Sequence, residues 1–143
     1  FRGFSLLELV TVMLMVGVIA VFAAPRLFTV QSITLPALAA QMTSNIRYAQ
    51  SLSMSQGQRY RVNFTATSYQ ITDMSGIPIV QPVTASTAAI SVSPLINNYV
   101  AFDTKGAPFV SATTALAATA TITLTSGSDA SSITVMPETG RVK

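Results

Sequence analysis

The side chains that could perform acid–base, nucleophilic or metal chemistry in this chain of 143 residues are few. There are five Asp and Glu residues and no His or Cys, so the commonest metal ligand, the commonest acid–base group and any thiolate nucleophile are absent. No catalytic triad, phosphate-binding loop or dinucleotide-binding glycine motif is present. Four carboxylates lie beside Gly, Ser or Thr, as turn residues do, without calcium-loop spacing: Asp73, Asp103, Asp129 and Glu138. We therefore predict a protein that is not an enzyme, with no catalytic residue, no cofactor and no metal ligand.

The fifth carboxylate, Glu8, is the only ionisable side chain between Phe4 and Ala24. A helix rising about 1.5 Å per residue over these ~21 residues would be about 31 Å long, close to the hydrocarbon thickness of a bilayer. An acidic side chain inside a bilayer costs about 2.5–3.5 kcal/mol or more. Either Glu8 reaches the headgroups or the positive end of its helix, or it pairs with a cation from another molecule.

The apolar segment is predicted to be a transmembrane helix that the mature protein retains. Charged residues make up 9% of the chain, against roughly 25% in an ordinary soluble domain. A secretory signal peptide has an apolar run of only ~7–15 residues followed by a small-residue cleavage site, whereas this run continues into Pro25 and Arg26. Because Arg2 precedes the span, we expect the amino end to face the cytoplasm and the residues after Pro25 to lie outside.

Residues 2–10 read Arg-Gly-Phe-Ser-Leu-Leu-Glu-Leu-Val. This order of a basic residue, Gly, Phe, a small hydroxyl residue, two aliphatic residues and Glu strongly resembles the cleavage motif of the type IV pilin and type II secretion pseudopilin superfamily. Gly17 and Pro25 also fall where the amino-terminal helix of that superfamily usually has a helix-loosening Gly and Pro. The resemblance is specific over residues 1–28.

The resemblance implies that a prepilin peptidase cuts between Gly3 and Phe4, usually methylates the new amino group and leaves the apolar helix in place. It also implies a homo-oligomeric helical filament, built at the inner membrane by an assembly platform. In such a filament Glu8 would dock on the amino terminus at Phe4 of a neighbouring copy, which satisfies two buried charges and sets the axial register. A mature start at Phe1, with an extension ahead of the motif, is the alternative; the filament prediction is compatible with it, but the Glu8–Phe4 pairing is not.

An amphipathic pattern follows the predicted span, with apolar residues at spacings of three and four: Leu35, Leu38, Met42, Ile46 and Ala49. The polar face holds Gln41, Ser44, Asn45 and Arg47. We predict a helical spine over residues 1–56, with a transmembrane or filament-core part over about 4–24 and an amphipathic part over about 26–56. The spine should be interrupted or softened at Gly17 and Pro25, bend again at Pro36 and end at Gly57.

Residues 57–143 are predicted to form a β-rich head domain. Alternating apolar residues predict a strand over 60–64 with a hairpin partner over 68–71. Residues 74–94 contain Gly76 and three prolines and are predicted to be rich in loops. Two further hairpins are predicted, one around a turn over residues 103–106 and one around a turn over residues 126–131. Residues 111–121 are rich in Ala, Thr and Ser and fit either a loop or a strand. The fold class is therefore α+β, a long amino-terminal hydrophobic helix followed by a small antiparallel sheet.

The remainder of the chain resembles, less specifically, the H-type minor pseudopilins and related minor pilins. The matching residues are Arg47-Tyr48-Ala49, Leu52, residues 60–64 and residues 133–142. Since the chain has no Cys, it cannot form the disulfide-closed carboxy-terminal loop that is typical of many major pilins.

The predicted function is that of a structural subunit of a type IV pilus-like filament, located in the bacterial inner membrane before assembly and at the cell surface afterwards. One alternative is a minor pseudopilin of a type II secretion system, which would remain in the periplasm. Another is a non-polymerising bitopic membrane protein with a periplasmic binding domain. We do not expect nucleic acid to be the main partner, because dispersed cations such as Arg59, Arg61, Arg141 and Lys143 are usually only solvated.

Overall fold

The structure is a computed structural model that describes residue 6 and residues 8–17, 35–85 and 88–143. The chain divides into two compact units, Phe1–Ile33 and Thr34–Lys143. In the first unit residue 6 and residues 8–17 are helical, and residues 8–17 are called α1. Within the described residues, no helix is both long enough and apolar enough to cross a membrane. Much of the predicted span, and the predicted continuity of the spine through Pro25 to Pro36, lies outside the described residues.

The second unit starts with helix α2, Leu35–Gln56. The predicted apolar stripe is confirmed, because α2 buries Leu38, Ala39, Met42, Ile46, Ala49 and Ser53. Ser53 is satisfied within the core, since its hydroxyl donates to the Ala49 carbonyl oxygen and accepts from the Tyr60 amide. The helix ends as predicted at Gly57, whose φ of 64° is the left-handed conformation that favours glycine after a helix.

A five-stranded antiparallel sheet has the order β3-β2-β1-β5-β6. Its strands are β1 (Tyr60–Phe64), β2 (Ser68–Asp73), β3 (Val83–Thr84), β5 (Tyr99–Phe102) and β6 (Pro108–Phe109). The predicted hairpin of β1 and β2 is confirmed, with the turn held by the Thr65 hydroxyl, which accepts from the Ser68 amide at 2.9 Å. The hairpin of β5 and β6 is also confirmed, although its turn covers residues 103–107 and is one residue longer than predicted.

A second, three-stranded antiparallel sheet has the order β4-β7-β8, where β4 is Ala89–Ser93, β7 is Ala120–Ser126 and β8 is Asp129–Val135. The structure therefore contains two sheets where the sequence predicted one. Strand β4 falls inside residues 74–94, which were predicted to be loop-rich. Its exposed Ala and Ser residues alternate with Ile90 and Val92, so it has the strand pattern that the nearby prolines obscured.

The hairpin of β7 and β8 is confirmed, but its predicted turn over residues 126–131 is wrong in length. Ser126 pairs with Asp129, so the turn consists of Gly127 and Ser128 alone. Gly127 has a φ of 60°, which a tight two-residue hairpin requires. Of the small residues after it, Ala130 and Ser132 are exposed on β8, and Ser131 between them is half-buried opposite Leu124. Residues 111–119 contain no strand of their own, although Leu116 anchors them in the core.

Helix α2 contacts β1, β5, β7 and β8, so residues of both sheets share one hydrophobic core with it. The fully buried side chains include Met42 and Ile46 from α2, Val62 from the first sheet and Ile122 from the second. This arrangement confirms the α+β fold class. The helix lies in the same compact unit as the two sheets.

Tyr69 on β2 links the first sheet to the nominally polar side of α2. Its ring is 1% exposed, and the Asn45 side-chain amide donates a hydrogen bond of 2.9 Å to its hydroxyl. Burial raises the pKa of Tyr69 above its ordinary 10.0, because the phenolate is poorly solvated there, while the hydrogen bond from Asn45 opposes that rise.

We expect the head to lose stability above pH 10.0 because of this tyrosine. The unfolded chain releases the Tyr69 proton near pH 10.0, whereas the folded chain still holds it, so the free energy of unfolding falls as the pH rises further. Urea unfolding between pH 8 and pH 11 should show this decline, and Tyr69→Phe should decline less steeply. Equal slopes for the parent and Tyr69→Phe would contradict the assignment to Tyr69.

Candidate functional site

Helix α1 presents apolar side chains on every side. Each residue from 8 to 17 is exposed, as is residue 6, and ten consecutive helical residues cover the full circumference of a helix. The exposed fraction is 81% for Leu6 and 70% for Met13. A helix that is apolar all round is stable only where lipid or other protein covers it. The interaction that α1 can make is therefore packing against lipid or against apolar protein surfaces.

Glu8 is the only charged residue among the described residues of the first unit, and it is exposed on α1. Its main-chain carbonyl oxygen accepts a hydrogen bond of 2.9 Å from the Thr11 hydroxyl, one turn further along the helix. The predicted processing residues Gly3 and Phe4 lie outside the described residues. The docking of Glu8 on Phe4 therefore remains a prediction.

Gly17 lies at the end of α1 as the structure describes it. A Cβ atom added at this position would meet nothing within 4 Å, so no contact in the described structure requires a glycine there. A glycine inside a helix costs about 1 kcal/mol relative to alanine. Its predicted role in loosening the helix, like that of Pro25 outside the described residues, is still a prediction.

In the head, a polar junction that the sequence did not predict joins α2 to two turns. The Gln50 side-chain amide donates to the carbonyl oxygens of Gly106 at 2.8 Å and Thr139 at 3.0 Å. Gly140 packs so tightly here that a Cβ atom would lie 2.4 Å from the Gly106 oxygen and 2.6 Å from the Gln50 nitrogen. The only signal in the sequence was the resemblance of residues 133–142 to H-type pseudopilins.

Arg47, predicted on the solvated face of α2, also holds the carboxy-terminal segment. Its guanidinium donates a hydrogen bond of 2.8 Å to the Val142 carbonyl oxygen. Residue 143 in turn pairs with β8, through two main-chain hydrogen bonds between Lys143 and Thr134 of 2.8 and 2.9 Å. The end of the chain is therefore part of the folded head.

Two of the four head carboxylates accept main-chain amides in turns, as predicted, and Glu138 also lies in a turn, over residues 137–139. Asp73 accepts the Ile77 amide at 2.7 Å, and Asp103 accepts the amides of Lys105 at 2.9 Å and Ala107 at 2.7 Å. The other two, Asp129 and Glu138, are exposed. Neither of these two side chains has a hydrogen-bond or ion-pair partner among the described residues.

Arg59 and Arg61, called the arginine pair, lie on the outer face of the five-stranded sheet. The Arg59 guanidinium is 4.4 Å from the centre of the Phe109 ring, and the Arg61 guanidinium is 5.2 Å from the centre of the Tyr99 ring. Both distances are within the range of a cation–π interaction. From the sequence these cations were expected to be only solvated, because residue order does not show which rings lie beside them.

A family model described as type II transport protein GspH matches residues 38–139 of this chain. That range contains most of α2 and all eight strands. None of the curated proteins matches the chain.

Two crystal forms of the type IV minor pilin FimU of Pseudomonas aeruginosa strain PAO1 have a similar structure. Each FimU structure aligns with this chain at a TM-score of 0.58 and 15% sequence identity. The alignments cover 76% of this chain, and 90% and 86% of the two FimU chains. At this identity the similarity shows a shared pilin-like fold. Together with the sequence match over residues 38–139, it shows that the chain belongs to the type II transport protein GspH family, within the type IV pilin and type II secretion pseudopilin superfamily.

Proposed function

We propose that this chain is a structural subunit of a type IV pilus-like filament and assembles through its amino-terminal helix. The observation that most supports this function is the surface of α1. Its apolar side chains are exposed on all sides, and the helix also has one carboxylate, Glu8. An apolar helix of this kind suits lipid before assembly and a bundle of like helices afterwards. Membership of the GspH family agrees with this function.

Docking in the proposed filament depends on Glu8 and on the amino terminus at Phe4. A carboxylate in a dry helix bundle is costly unless a cation pairs with it, and the described part of α1 contains none. A free amino group produced at Phe4 of a neighbouring copy would supply that cation. Gly17 and Pro25 would let the helix adjust locally within the bundle.

The proposed partners are a prepilin peptidase, an inner-membrane assembly platform and further copies of the chain. In the proposed filament residues 1–56 form the helical spine, and residues 57–143 form the head on the filament surface. The chain would lie in the bacterial inner membrane before assembly and in a cell-surface filament afterwards.

A minor pseudopilin of a type II secretion system is the second candidate, and one observation favours it. The matching family model is described as a type II transport protein. In that case the same helix would assemble into a filament confined to the periplasm. The location of the assembled chain, in sheared surface material or in the periplasm, separates the two candidates.

The processing step can be tested at Gly3. We expect Gly3→Val to insert into the membrane like the parent but to stay unprocessed, because the branched side chain replaces the glycine before the proposed cut. Intact-mass measurement of membrane fractions should show the parent without residues 1–3 and Gly3→Val with them. Gly17→Ala, which leaves the motif intact, serves as the control and should be processed normally. A parent-sized mature product from Gly3→Val would contradict the proposed site.

A further inference from the structure

The arginine pair is held in a restricted geometry by more than ring stacking. Arg59 donates to the Ala112 carbonyl oxygen, and Arg61 Nε donates to the Thr72 hydroxyl at 3.2 Å. Both side chains are half-buried. Because stacking and hydrogen bonding already limit their rotamers, they lose little conformational entropy when they bind an anion. Their remaining N–H groups can bind a carboxylate through two parallel hydrogen bonds.

Neither guanidinium has a carboxylate partner anywhere in the part of the chain that the structure describes. Two positive charges, on Arg61 of β1 and on Arg59 one residue before β1, therefore lie on this face without a carboxylate to neutralise them. Their rings are already covered by the guanidinium groups, so this surface offers charged donors and no open aromatic face. Such a surface fits a carboxylate better than it fits a stacked base.

This chain itself contains a suitable carboxylate, Asp129. It directly follows the two-residue turn at the end of the β7–β8 hairpin, between the small residues Ser128 and Ala130. It is exposed, and it is the only charged residue between Lys105 and Glu138. Glu138 fits less well, because two cations follow it within five residues.

We propose that the arginine pair of one copy binds Asp129 of a second copy. The arginine pair lies on the five-stranded sheet and Asp129 at the tip of the β7–β8 hairpin. In the proposed head-to-tail arrangement the contact repeats in one direction and produces a helical array. This contact rests on the proposed filament function, and it adds a link between heads to the docking of the helices. It also gives Asp129 a cation and the arginine pair a carboxylate, which neither has among the residues that the structure describes.

Cross-linking between full-length copies tests the contact, because the chain has no cysteine and every introduced thiol is unique. Two differently tagged copies are co-expressed, one with Gln70→Cys and one with Ser128→Cys. Gln70 pairs with Asn63, which puts it on the outer face beside Arg61, and Ser128 adjoins Asp129. The control is a second pair of copies, one with Gln70→Cys and one with Ser55→Cys at another exposed position. We expect mild oxidation to cross-link the Gln70→Cys and Ser128→Cys copies at least about tenfold more than the control pair, because the contact holds the thiols at positions 70 and 128 close together.

Exchanging the charges tests whether the ion pair holds the copies together. Arg59→Glu together with Arg61→Glu in the Gln70→Cys copy should reduce cross-linking about fivefold, because like charges then face each other. Asp129→Arg in the Ser128→Cys copy should do the same, and the three substitutions together should restore cross-linking to within about twofold of the starting pair. Thermal unfolding of each variant checks that the head still folds.

Cross-linking that the two arginine substitutions leave unchanged, or that the full charge exchange fails to restore, would overturn the proposed contact. The two proposals also fail separately. Absence of the parent chain from filaments contradicts the filament function, whereas parent filaments without the cross-link between positions 70 and 128 contradict the contact between heads.

Discussion

Replacing Glu8 by leucine is expected to leave membrane insertion intact and to lower the assembled fraction of the chain by at least about tenfold. Leucine removes a charge that costs about 2.5–3.5 kcal/mol or more in lipid, so insertion should be at least as good as in the parent. Assembly should fail because the amino group of the neighbouring copy then lies unpaired in a dry bundle, a loss of several kcal/mol. The measurement is the ratio of filament to membrane-held chain at equal expression.

Two variants separate the charge of Glu8 from its size and position. Glu8→Gln keeps a polar side chain of similar shape and should assemble at an intermediate level if hydrogen bonding contributes part of the effect. Val12→Leu changes another exposed residue of α1 without changing charge and should assemble like the parent. If Glu8→Leu gives as much filament as the parent, then Glu8 is merely tolerated near the headgroups, and the proposed docking role is wrong.

Replacing Gly140 by alanine is expected to destabilise the head by about 2–5 kcal/mol. The new Cβ atom would lie 2.4 Å from the Gly106 oxygen, and the backbone φ of 63° disfavours any side chain. The conformational strain costs about 1–2 kcal/mol, and displacing the packed turn adds a further 1–3 kcal/mol. Urea unfolding of the full chain in detergent should show the loss.

Gly127→Ala is the matched control for this prediction. Gly127 has nearly the same φ, 60°, but a Cβ atom there meets nothing within 4 Å. It should therefore show the strain alone, about 1–2 kcal/mol. Equal losses at the two positions would mean that the close contact of Gly140 with Gly106 and Gln50 contributes nothing to the stability of the head.

Local periodicity was sufficient to predict most elements of the head. The spacing of apolar residues predicted α2, and alternation predicted β1 with its partner, because one side of each element faces the core. Strand β4 was missed because two of its five residues are Ser and prolines lie close by, which made the segment resemble a loop. The division into two sheets depends on which strands pair over long distances, and periodicity contains no information about that pairing.

Less of the candidate site than of the head's secondary structure could be predicted from the sequence. The motif around Gly3, Phe4 and Glu8 followed from residue order alone, but its proposed function depends on contacts with other molecules. The arginine pair was assigned to solvent, because stacking on Phe109 and Tyr99 arises only when distant strands come together. The junction at Gln50 was missed for the same reason, since its partners lie more than 50 residues away.

In the proposed function the chain is cut after Gly3 and becomes part of a filament through its amino-terminal helix. The most direct measurement is amino-terminal sequencing and intact mass of a carboxy-terminally tagged chain recovered from sheared or periplasmic filaments. We expect the tagged chain in the filament fraction, with its amino terminus at Phe4. A chain that retains residues 1–3 and is recovered only from the membrane, while filaments from the same cells contain none of it, would contradict the claim.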